Sequence, residues 1–385
     1  MSVAVGGRLR RFVPRVVRHG ASVQLARLHA GRLDRDLARL ASGSHTIVAG
    51  PWLGEVGFEL LYWVPFLRWF ADRFAVAPER LLVVSRGGTA SWYRPFAGGY
   101  REIFDYLTPD QFRRRHDERV AANGEQKQTQ VLQFEHQLLR ELTGDVHDRV
   151  MLHPSSMYSL FNPFWWGHVD ESWVHHRARY ARLQAADDAL QSRTECVHRD
   201  EAGALRRGTA GVTQPSETAG ATLPSSTASR DGFELPTAPY TAVKFYFNDC
   251  FPGTEANRAF LRRTLQDLLA KGPVVSLTTS LHLDDHGGDH AQPTGVRALP
   301  SEVDPRGNLA LQTAIVAGAA RFVGTYGGFS YLAPFLGVSA TAYFSDAEGF
   351  SPRHLGMARS ALQGLGAAHL LDVHATTTQG SLVQL

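Results

Sequence analysis

Short apolar runs alternate with longer amphipathic stretches in the first part of the chain. The apolar runs have the length and composition of buried strands, and the stretches between them have helical length. The predicted strands are 46–49, 81–84 and 150–152, and the predicted helices are 59–70, 101–116 and 128–142. Strands that alternate with helices in this way indicate parallel β-α-β units.

The same alternation returns in the last part of the chain. The predicted strands there are 241–247, 273–277, 321–324 and 340–344, and the predicted helices are 255–270, 308–319, 329–336 and 354–365. A second α/β unit therefore follows the first, and no repeat beyond the shared α/β pattern relates the two.

The two units are separated by a stretch of unusual composition. Residues 181–232 contain no aromatic residue, and 203–229 are rich in Gly, Ala, Ser, Thr and Pro. Such a segment buries too little apolar surface to offset the entropy of ordering it. We predict a flexible linker or insertion at 187–236, between a first domain at 45–186 and a second domain at 237–385.

The first 44 residues form a basic arm. They are rich in arginine from Arg8 onward, and Asp34 and Asp36 are their only acids. We predict that ordered structure begins at His45. Two interpretations of the arm stay open: a solvated, partly disordered segment, or a basic amphipathic helix at residues 1–40 on anionic lipid. A signal peptide is not expected, since arginines interrupt every apolar run at this end.

Composition narrows the class of protein. The chain has 385 residues, of which 43% are hydrophobic and 20% charged, with a formal net charge of +3. These values exclude wholesale disorder and disfavour both an integral membrane protein and a protein that coats nucleic acid. Two cysteines cannot build a disulfide framework, so we expect a reducing, cytoplasmic location, with peripheral contact at the inner membrane face under the lipid interpretation.

A glycine turn is the most informative segment for chemistry. A buried strand ends at Thr325, Tyr326 follows, Gly327 and Gly328 turn the chain, and a helix begins near Phe329. Backbone N–H groups at a helix N-terminus bind phosphate, and glycine lets the phosphate approach the backbone. The alternative is an ordinary strand-to-helix turn without a ligand.

Polar residues elsewhere in the second unit are candidates for the same site. Lys244 lies in an aromatic strand, where its charge needs a partner such as a phosphate, unless it reaches solvent from a sheet edge. Asn248 follows at the carboxyl end of that strand, where open α/β sheets bind ligands. Asn308 and Gln312 open the helix before the glycine turn.

This order of elements resembles the nucleotide-sugar half of the GT-B glycosyltransferases. The polar helix start, the small-residue helix, the short strand, the turn at Gly327 and Gly328 and the helix with Pro334 carry the resemblance. Strand 46–49 with the loop 54–57 looks like the glycine-rich loop after the first strand of these enzymes. Fucosyltransferase-like and heptosyltransferase-like groups are both plausible relatives.

The resemblance implies two Rossmann-like domains that face a cleft. It also implies glycosyl transfer from a nucleotide-sugar donor to a glycan or lipid-linked acceptor, with no metal or other cofactor needed and no nucleic-acid partner. The donor diphosphate would lie at the glycine turn. Gly54, Gly57 and Arg86 would lie on the acceptor side.

Two carboxylates flank the first loop. Transfer with inversion needs a base for the acceptor hydroxyl, and Glu55 and Glu59 are the candidates. The alternative is that Glu55 is solvated and that Glu59 stabilises the first helical turn through the helix dipole.

A stretch rich in histidine and aspartate supports a competing function. His282, Asp285 and His286 follow strand 273–277, where we expect contacts to the donor base or ribose. The stretch 282–290 also contains the residue types that a metal-dependent hydrolase uses to activate water. A solvated loop is a third possibility, and a binding protein that kept the fold without catalysis is a further alternative for the whole chain.

Aromatic residues cluster at 161–168, with Trp165 and Trp166 at the centre. Buried tryptophans are ordinary core residues, whereas exposed ones stack on sugars or anchor in membrane interfaces. The cluster therefore predicts either a core or an acceptor surface.

Overall fold

A computed structural model describes residues 15–123, 127–184, 235–279, 281, 293–300, 303–376 and 382–384. Residues 187–234 of the predicted linker lie outside these ranges, so the linker stays a prediction.

The first half of the chain forms a four-stranded parallel sheet in the order β3-β2-β1-β4. Its strands are β1 (Thr46–Ala49), β2 (Leu81–Ser85), β3 (Gly99–Glu102) and β4 (Arg149–Leu152). The central strand β1 pairs Ile47 with Leu81 on one side and with Val150 on the other. Strands β1 and β2 are buried almost throughout, as expected of parallel strands covered on both faces.

Helices surround this sheet. They are α1 (Arg15–Ser42), α2 (Val56–Phe58), α3 (Val64–Arg73), α4 (Ala90–Tyr93), α5 (Pro109–Asn123), α6 (Gln133–Leu142), α7 (Pro154–Trp165) and α8 (Ser172–His175). A wide helical turn at Glu59–Trp63 joins α2 to α3, and single tight turns occur at Pro78–Arg80 and Ile103–Asp105.

The second half forms a seven-stranded sheet in the order β11-β10-β9-β8-β5-β6-β7. Its strands are β5 (Thr241–Lys244), β6 (Val274–Ser276), β7 (Val296–Ala298), β8 (Arg321–Thr325), β9 (Ala340–Phe344), β10 (Leu371–Thr376) and β11 (Leu382–Gln384). All neighbours are parallel except β11, which runs antiparallel to β10.

The chain reverses its direction of travel across this second sheet between β5 and β8. It builds β5, β6 and β7 outward on one side and then returns to build β8, β9 and β10 on the other. This is the strand order of the dinucleotide-binding fold, and the crevice beyond the carboxyl ends at such a reversal is where open α/β sheets bind ligands.

The helices of the second half are α9 (Glu255–Leu269), α10 (Asn308–Ala317), α11 (Gly328–Phe335) and α12 (Pro352–Gly364), with single tight turns at Pro305–Gly307 and Ala368–Leu370. The predicted fold class, α/β with two parallel sheets, is confirmed.

Four strands were not apparent from the sequence. Strand β3 occupies the start of the predicted helix 101–116, and helix α5 begins only at Pro109. Strands β3 and β7 are sheet-edge strands with partly exposed residues, so they lack the continuous apolar run of a buried strand. Strands β10 and β11 were also missed.

The prediction that ordered structure begins at His45 is wrong. Helix α1 already spans Arg15–Ser42, and its Ala30, Leu37 and Ala41 are buried in the main core. Arg177 fixes the helix further through a paired contact with Asp34, at 2.8 Å. The buried positions are mostly alanines among many arginines, so the apolar face of this helix is weak in the sequence.

Replacing Leu37 by alanine should destabilise the first half of the protein. Leu37 is 3% exposed in the main core, and such a truncation costs about 2–4 kcal/mol. Urea unfolding followed by tryptophan fluorescence measures the effect, because all seven tryptophans lie in the first half. Leu28→Ala is the control, since Leu28 is 65% exposed. Equal stability of the two variants would mean that α1 does not belong to the folded unit.

Candidate functional site

The carboxyl ends of the two sheets face each other, and two glycines allow their backbones to touch. Gly57, in the loop and helix after β1, lies against Gly328 at the start of α11 after β8. A Cβ added at Gly328 would lie 2.6 Å from the Gly57 nitrogen. The predicted acceptor-side loop and the predicted donor-side turn are therefore direct neighbours.

A second contact joins the same two edges. Gly88, in the loop after β2, has a positive φ of 77°, and a Cβ there would lie 2.8 Å from the Arg306 carbonyl oxygen. The Ala310 backbone N–H donates to the Gly87 carbonyl at 2.9 Å. The start of α10 is thus held against the first sheet.

Polar side chains form a chain of hydrogen bonds where β5 and β8 lie side by side, at the point where the strand order reverses. We call this place the reversal point. Lys244 at the end of β5 donates to the Gln312 side-chain oxygen at 2.6 Å, and the Gln312 amide donates to Asn308 Oδ1 at 2.7 Å. The Lys244 ammonium also lies 4.1 Å from the centre of the Phe329 ring. Four predicted donor residues are therefore brought together here. Asn308 and Gln312 are buried and Lys244 is half-buried.

Other predicted donor residues have contacts within the fold. Thr325 Oγ1 donates to the Tyr246 carbonyl and accepts from the Tyr246 N–H, which ties the ends of β5 and β8 together. Tyr326 is buried, and its hydroxyl accepts from Tyr331. The Asn248 side chain accepts the Phe251 N–H at 2.8 Å and so closes a turn.

Gly327 is half-buried and packs against Tyr246. A Cβ there would collide with the Tyr246 hydroxyl. Its N–H donates to Ser330 Oγ at 3.1 Å, and the Ser330 hydroxyl donates back to the Gly327 carbonyl at 2.6 Å. The glycine pair is required by packing alone. A valine at either position would disturb the fold whether or not a ligand binds.

The two candidate carboxylates have different environments. Glu55 is half-buried in the loop before α2. Glu59 is fully buried, and its Oε1 accepts hydrogen bonds from Ser85 at 2.7 Å and from Tyr93 at 2.5 Å. Burial raises the pKa of Glu59, while the nearby Arg86 charge and the two hydroxyl donors act in the opposite direction.

Arg86 lies between Glu59, whose pKa its charge lowers, and the loop. It is buried, and its guanidinium donates to the Gly54 carbonyl. Gly54 itself packs on Trp52, where an added Cβ would lie 2.9 Å from the indole ring. Glu59 and Arg86 therefore position the loop from inside the first half of the protein, whereas Glu55 lies on the loop itself.

Glu102 is a buried carboxylate that the sequence analysis missed. It accepts the Gly87 N–H at 3.0 Å and the Phe104 N–H at 3.1 Å through Oε1. Its Oε2 accepts the Gly88 N–H at 2.8 Å and the Tyr100 hydroxyl at 2.9 Å. Burial raises its pKa to about 7, although all four donors lower it. Glu102 thereby fixes the loop that touches α10.

A cluster of aromatic and basic side chains lies next to the Gly57 contact. His354, at the start of α12, shares a hydrogen bond of 2.7 Å between its Nδ1 and the Tyr62 hydroxyl. Phe58 lies against the imidazole, with ring centres 5.0 Å apart. Lys127 lies over Phe58 and Trp165. Lys127 is one of only three lysines in the sequence, and this rarity was the one signal that could have drawn attention to it.

The histidine-rich stretch lies outside the described residues. His282, Asp285 and His286 are all in the range 282–290, for which the structure gives no description. Within the described ranges, no group of three or more His, Cys, Asp or Glu side chains is arranged to hold a metal ion.

No protein-family model matches the sequence, and no curated protein matches it either. Solved structures do. The ADP-heptose lipopolysaccharide heptosyltransferase II of E. coli is 12% identical over 85% of this chain and 98% of its own, with a TM-score of 0.40. E. coli heptosyltransferase WaaC with ADP is 13% identical over 81% of this chain and 90% of its own, with a TM-score of 0.35.

The spinosyn rhamnosyltransferase SpnG is 12% identical over 84% of this chain and 85% of its own, with a TM-score of 0.30. All three are glycosyltransferases.

None of the described helices combines the length and the apolar composition needed to cross a bilayer.

The raised pKa of Glu102 should make stability depend on pH. The folded state binds this proton more tightly than the unfolded state, whose pKa is near 4.5, so the stability from this group falls as pH rises from about 4.5 to about 7. The fall is at most about 3 kcal/mol. In Glu102→Gln the group no longer titrates, so the decline across this window should be smaller.

Urea unfolding between pH 4.5 and 7.5, followed by tryptophan fluorescence, measures this difference. Glu118→Gln is a control at an exposed glutamate, which pairs with Arg115 on the surface of α5. If the stability of the wild type and of Glu102→Gln changed with pH in parallel, the raised pKa of Glu102 would be contradicted.

Proposed function

We propose that the chain is a glycosyltransferase that moves a sugar from a nucleotide-activated donor to a glycan or lipid-linked acceptor. One observation carries the proposal. The reversal point of the second sheet, with its polar chain through Lys244 and Gln312, lies opposite the loop that bears Glu55. A donor site and an acceptor base on facing edges are what direct transfer between two substrates requires.

The donor phosphates bind at the reversal point in this proposal. The Lys244 ammonium and the N-terminal end of α11 are positive and lie at the carboxyl ends of β5 and β8. As the bond from the anomeric carbon to the phosphate oxygen breaks, these groups stabilise the charge on the leaving diphosphate. A protein cation fills the role that a metal ion has in other transferases, so we propose that the reaction needs no metal.

Glu55 is the base in this proposal. It removes the proton from the acceptor hydroxyl as that oxygen bonds to the anomeric carbon. Glu59 is fully buried and cannot reach an acceptor, so its role is to position the helix after the loop through Ser85 and Tyr93.

Lys244→Met should weaken nucleoside diphosphate binding about ten- to hundred-fold, because one charge-assisted phosphate contact is lost. Calorimetric titration with UDP, GDP and ADP, in the presence of EDTA, measures this loss. The corresponding nucleosides should bind the wild type and Lys244→Met equally. Lys271→Met is the matched control at an exposed lysine just after α9. Unchanged diphosphate affinity in Lys244→Met would refute the donor site.

Glu55→Gln should separate binding from chemistry. The amide keeps the shape of the side chain, so diphosphate affinity should survive, while turnover falls by about 10²–10⁴. Turnover is measured as nucleotide release from the nucleotide sugar whose diphosphate binds best. Wild-type turnover in Glu55→Gln would exclude Glu55 as the base.

We also propose that α1 contacts an anionic membrane surface. Its inner face packs on the protein through Ala30 and Leu37, whereas Leu25 and Leu28 on the outside are 67% and 65% exposed. Exposed arginines, among them Arg27, flank these leucines. Apolar side chains among cations are the arrangement with which helices bind anionic lipid.

Replacing both Leu25 and Leu28 by serine should reduce binding to vesicles of mixed phosphatidylcholine and phosphatidylglycerol. Sedimentation with vesicles measures it, and added salt should weaken wild-type binding through screening. Pure phosphatidylcholine vesicles serve as the control for charge. Equal binding of the wild type to both kinds of vesicle would contradict the electrostatic part of the proposal.

A further inference from the structure

Four half-buried side chains from separate parts of the chain meet beside the Gly57 contact. They are Phe58 in α2, Lys127, Trp165 at the end of α7 and His354 at the start of α12. The Lys127 ammonium lies 5.7 Å from the centre of the Phe58 ring and 5.1 Å from that of Trp165. We call these four residues the cage.

The position of Lys127 is set by its neighbour in sequence. The buried Gln128 accepts the Leu53 N–H at 2.9 Å and donates to the Pro51 carbonyl at 2.9 Å. It also donates to Glu135 Oε1 at 2.9 Å. Lys127 is thus anchored to the same loop that carries Glu55, whatever its own side chain binds.

Lys127 lacks an anionic partner among the residues that the structure describes, since no described carboxylate lies within 4.0 Å of its ammonium. Aromatic faces attract a cation but only partly replace the water it has lost. A half-buried lysine with its ammonium against two rings is therefore suited to a ligand that supplies a negative charge.

The imidazole adds a fixed polar group to the cage. The His354 Nδ1 shares a hydrogen bond with the Tyr62 hydroxyl, which sets the orientation of the imidazole ring. Burial, assisted by the Lys127 charge, lowers the pKa of His354 to about 4. His354 is therefore neutral near pH 7, and Lys127 supplies the positive charge of the cage.

The aromatic rings suit a carbohydrate. Indole and phenyl faces present flat apolar surface, against which the C–H face of a sugar ring packs. Trp166, the next residue after Trp165, is 72% exposed and is the most exposed large hydrophobic residue among those described.

We propose that the cage binds a sugar unit that carries a carboxylate or a phosphate, with the ring against Trp165 and Phe58 and the anion on Lys127. Phe58 is three residues after Glu55, so the sugar belongs to the acceptor. That last step rests on the proposed transferase function, whereas binding of an anionic sugar to the cage does not.

The test compares three small sugars on the full chain by calorimetric titration: methyl β-glucoside, methyl β-glucuronide and glucose 6-phosphate. The wild type should bind at least one of the two anionic sugars about tenfold or more tightly than the neutral glucoside, because a charge-assisted contact is added. Which of the two anionic sugars binds more tightly identifies the charged group.

Variants assign the preference to the cage. Lys127→Met should bind the anionic and neutral sugars alike, while Lys127→Arg should keep the preference. Trp165→Ala should weaken the binding of all three sugars. Lys271→Met, at an exposed lysine just after α9, should bind the sugars as the wild type does. Circular dichroism confirms that each variant is folded.

The proposal is overturned by equal affinity for neutral and anionic sugars in the wild type, by an unchanged preference in Lys127→Met, or by no saturable binding of any of the three. Nucleoside diphosphate titrations of the same proteins separate the two proposals. A preference for anionic sugars in a protein that binds no nucleoside diphosphate would refute the transferase proposal and leave the cage proposal intact. Nucleoside diphosphate binding without a preference for anionic sugars would refute the cage proposal alone.

Discussion

Close approach of two backbones, at Gly57 and Gly328, holds the candidate site together. Each glycine follows the carboxyl end of a central parallel strand, β1 in one sheet and β8 in the other. A side chain on Gly328 would push the two edges apart, and one on Gly57 would crowd Gly328 at 3.2 Å. The facing loops and the cage at Lys127 depend on this distance, because each joins residues from both halves of the chain.

Buried polar side chains keep the loops at this junction in place. Glu102 accepts hydrogen bonds from the N–H groups of the loop after β2. Gln128 accepts the Leu53 N–H and donates to the Pro51 carbonyl in the loop after β1. Glu135 supports Gln128 in turn. Burial alone would raise the pKa of Glu135, but His153 lowers it below its usual value. Loops held by buried hydrogen bonds are formed before any substrate arrives, which favours an ordered site.

The sequence predicted the central strands well and the edges of the sheets poorly. Strands β1, β2, β5 and β8 are short apolar runs that end in glycine or polar residues, so their pattern is unambiguous. Strand β3 reads Gly-Tyr-Arg-Glu and is partly exposed, which no periodicity distinguishes from a helix start. Helix α1 could not be decided against a disordered arm, because the few alanines and leucines that it packs into the core lie among many arginines.

The candidate site was predictable on the donor side and less so elsewhere. Lys244, Asn308, Gln312 and Phe329 meet at the reversal point, as expected for polar residues near the ends of neighbouring strands. The glycine turn was identified, yet its glycines are explained by Tyr246 and Gly57. No local sequence pattern marks Glu102, Lys127 or His354, because their roles come from contacts between segments that are far apart in sequence.

Hydrogen exchange with and without a nucleoside diphosphate tests the central claim most directly. With UDP, GDP or ADP, whichever binds, the account predicts added protection of backbone N–H groups at 244–248, 308–313 and 326–331, at the carboxyl edge of the second sheet. The loop at 54–58 should be protected as well, since it touches Gly328. Protection confined to other regions, or no change with a nucleotide that is shown to bind, would contradict a donor site where the two sheets meet.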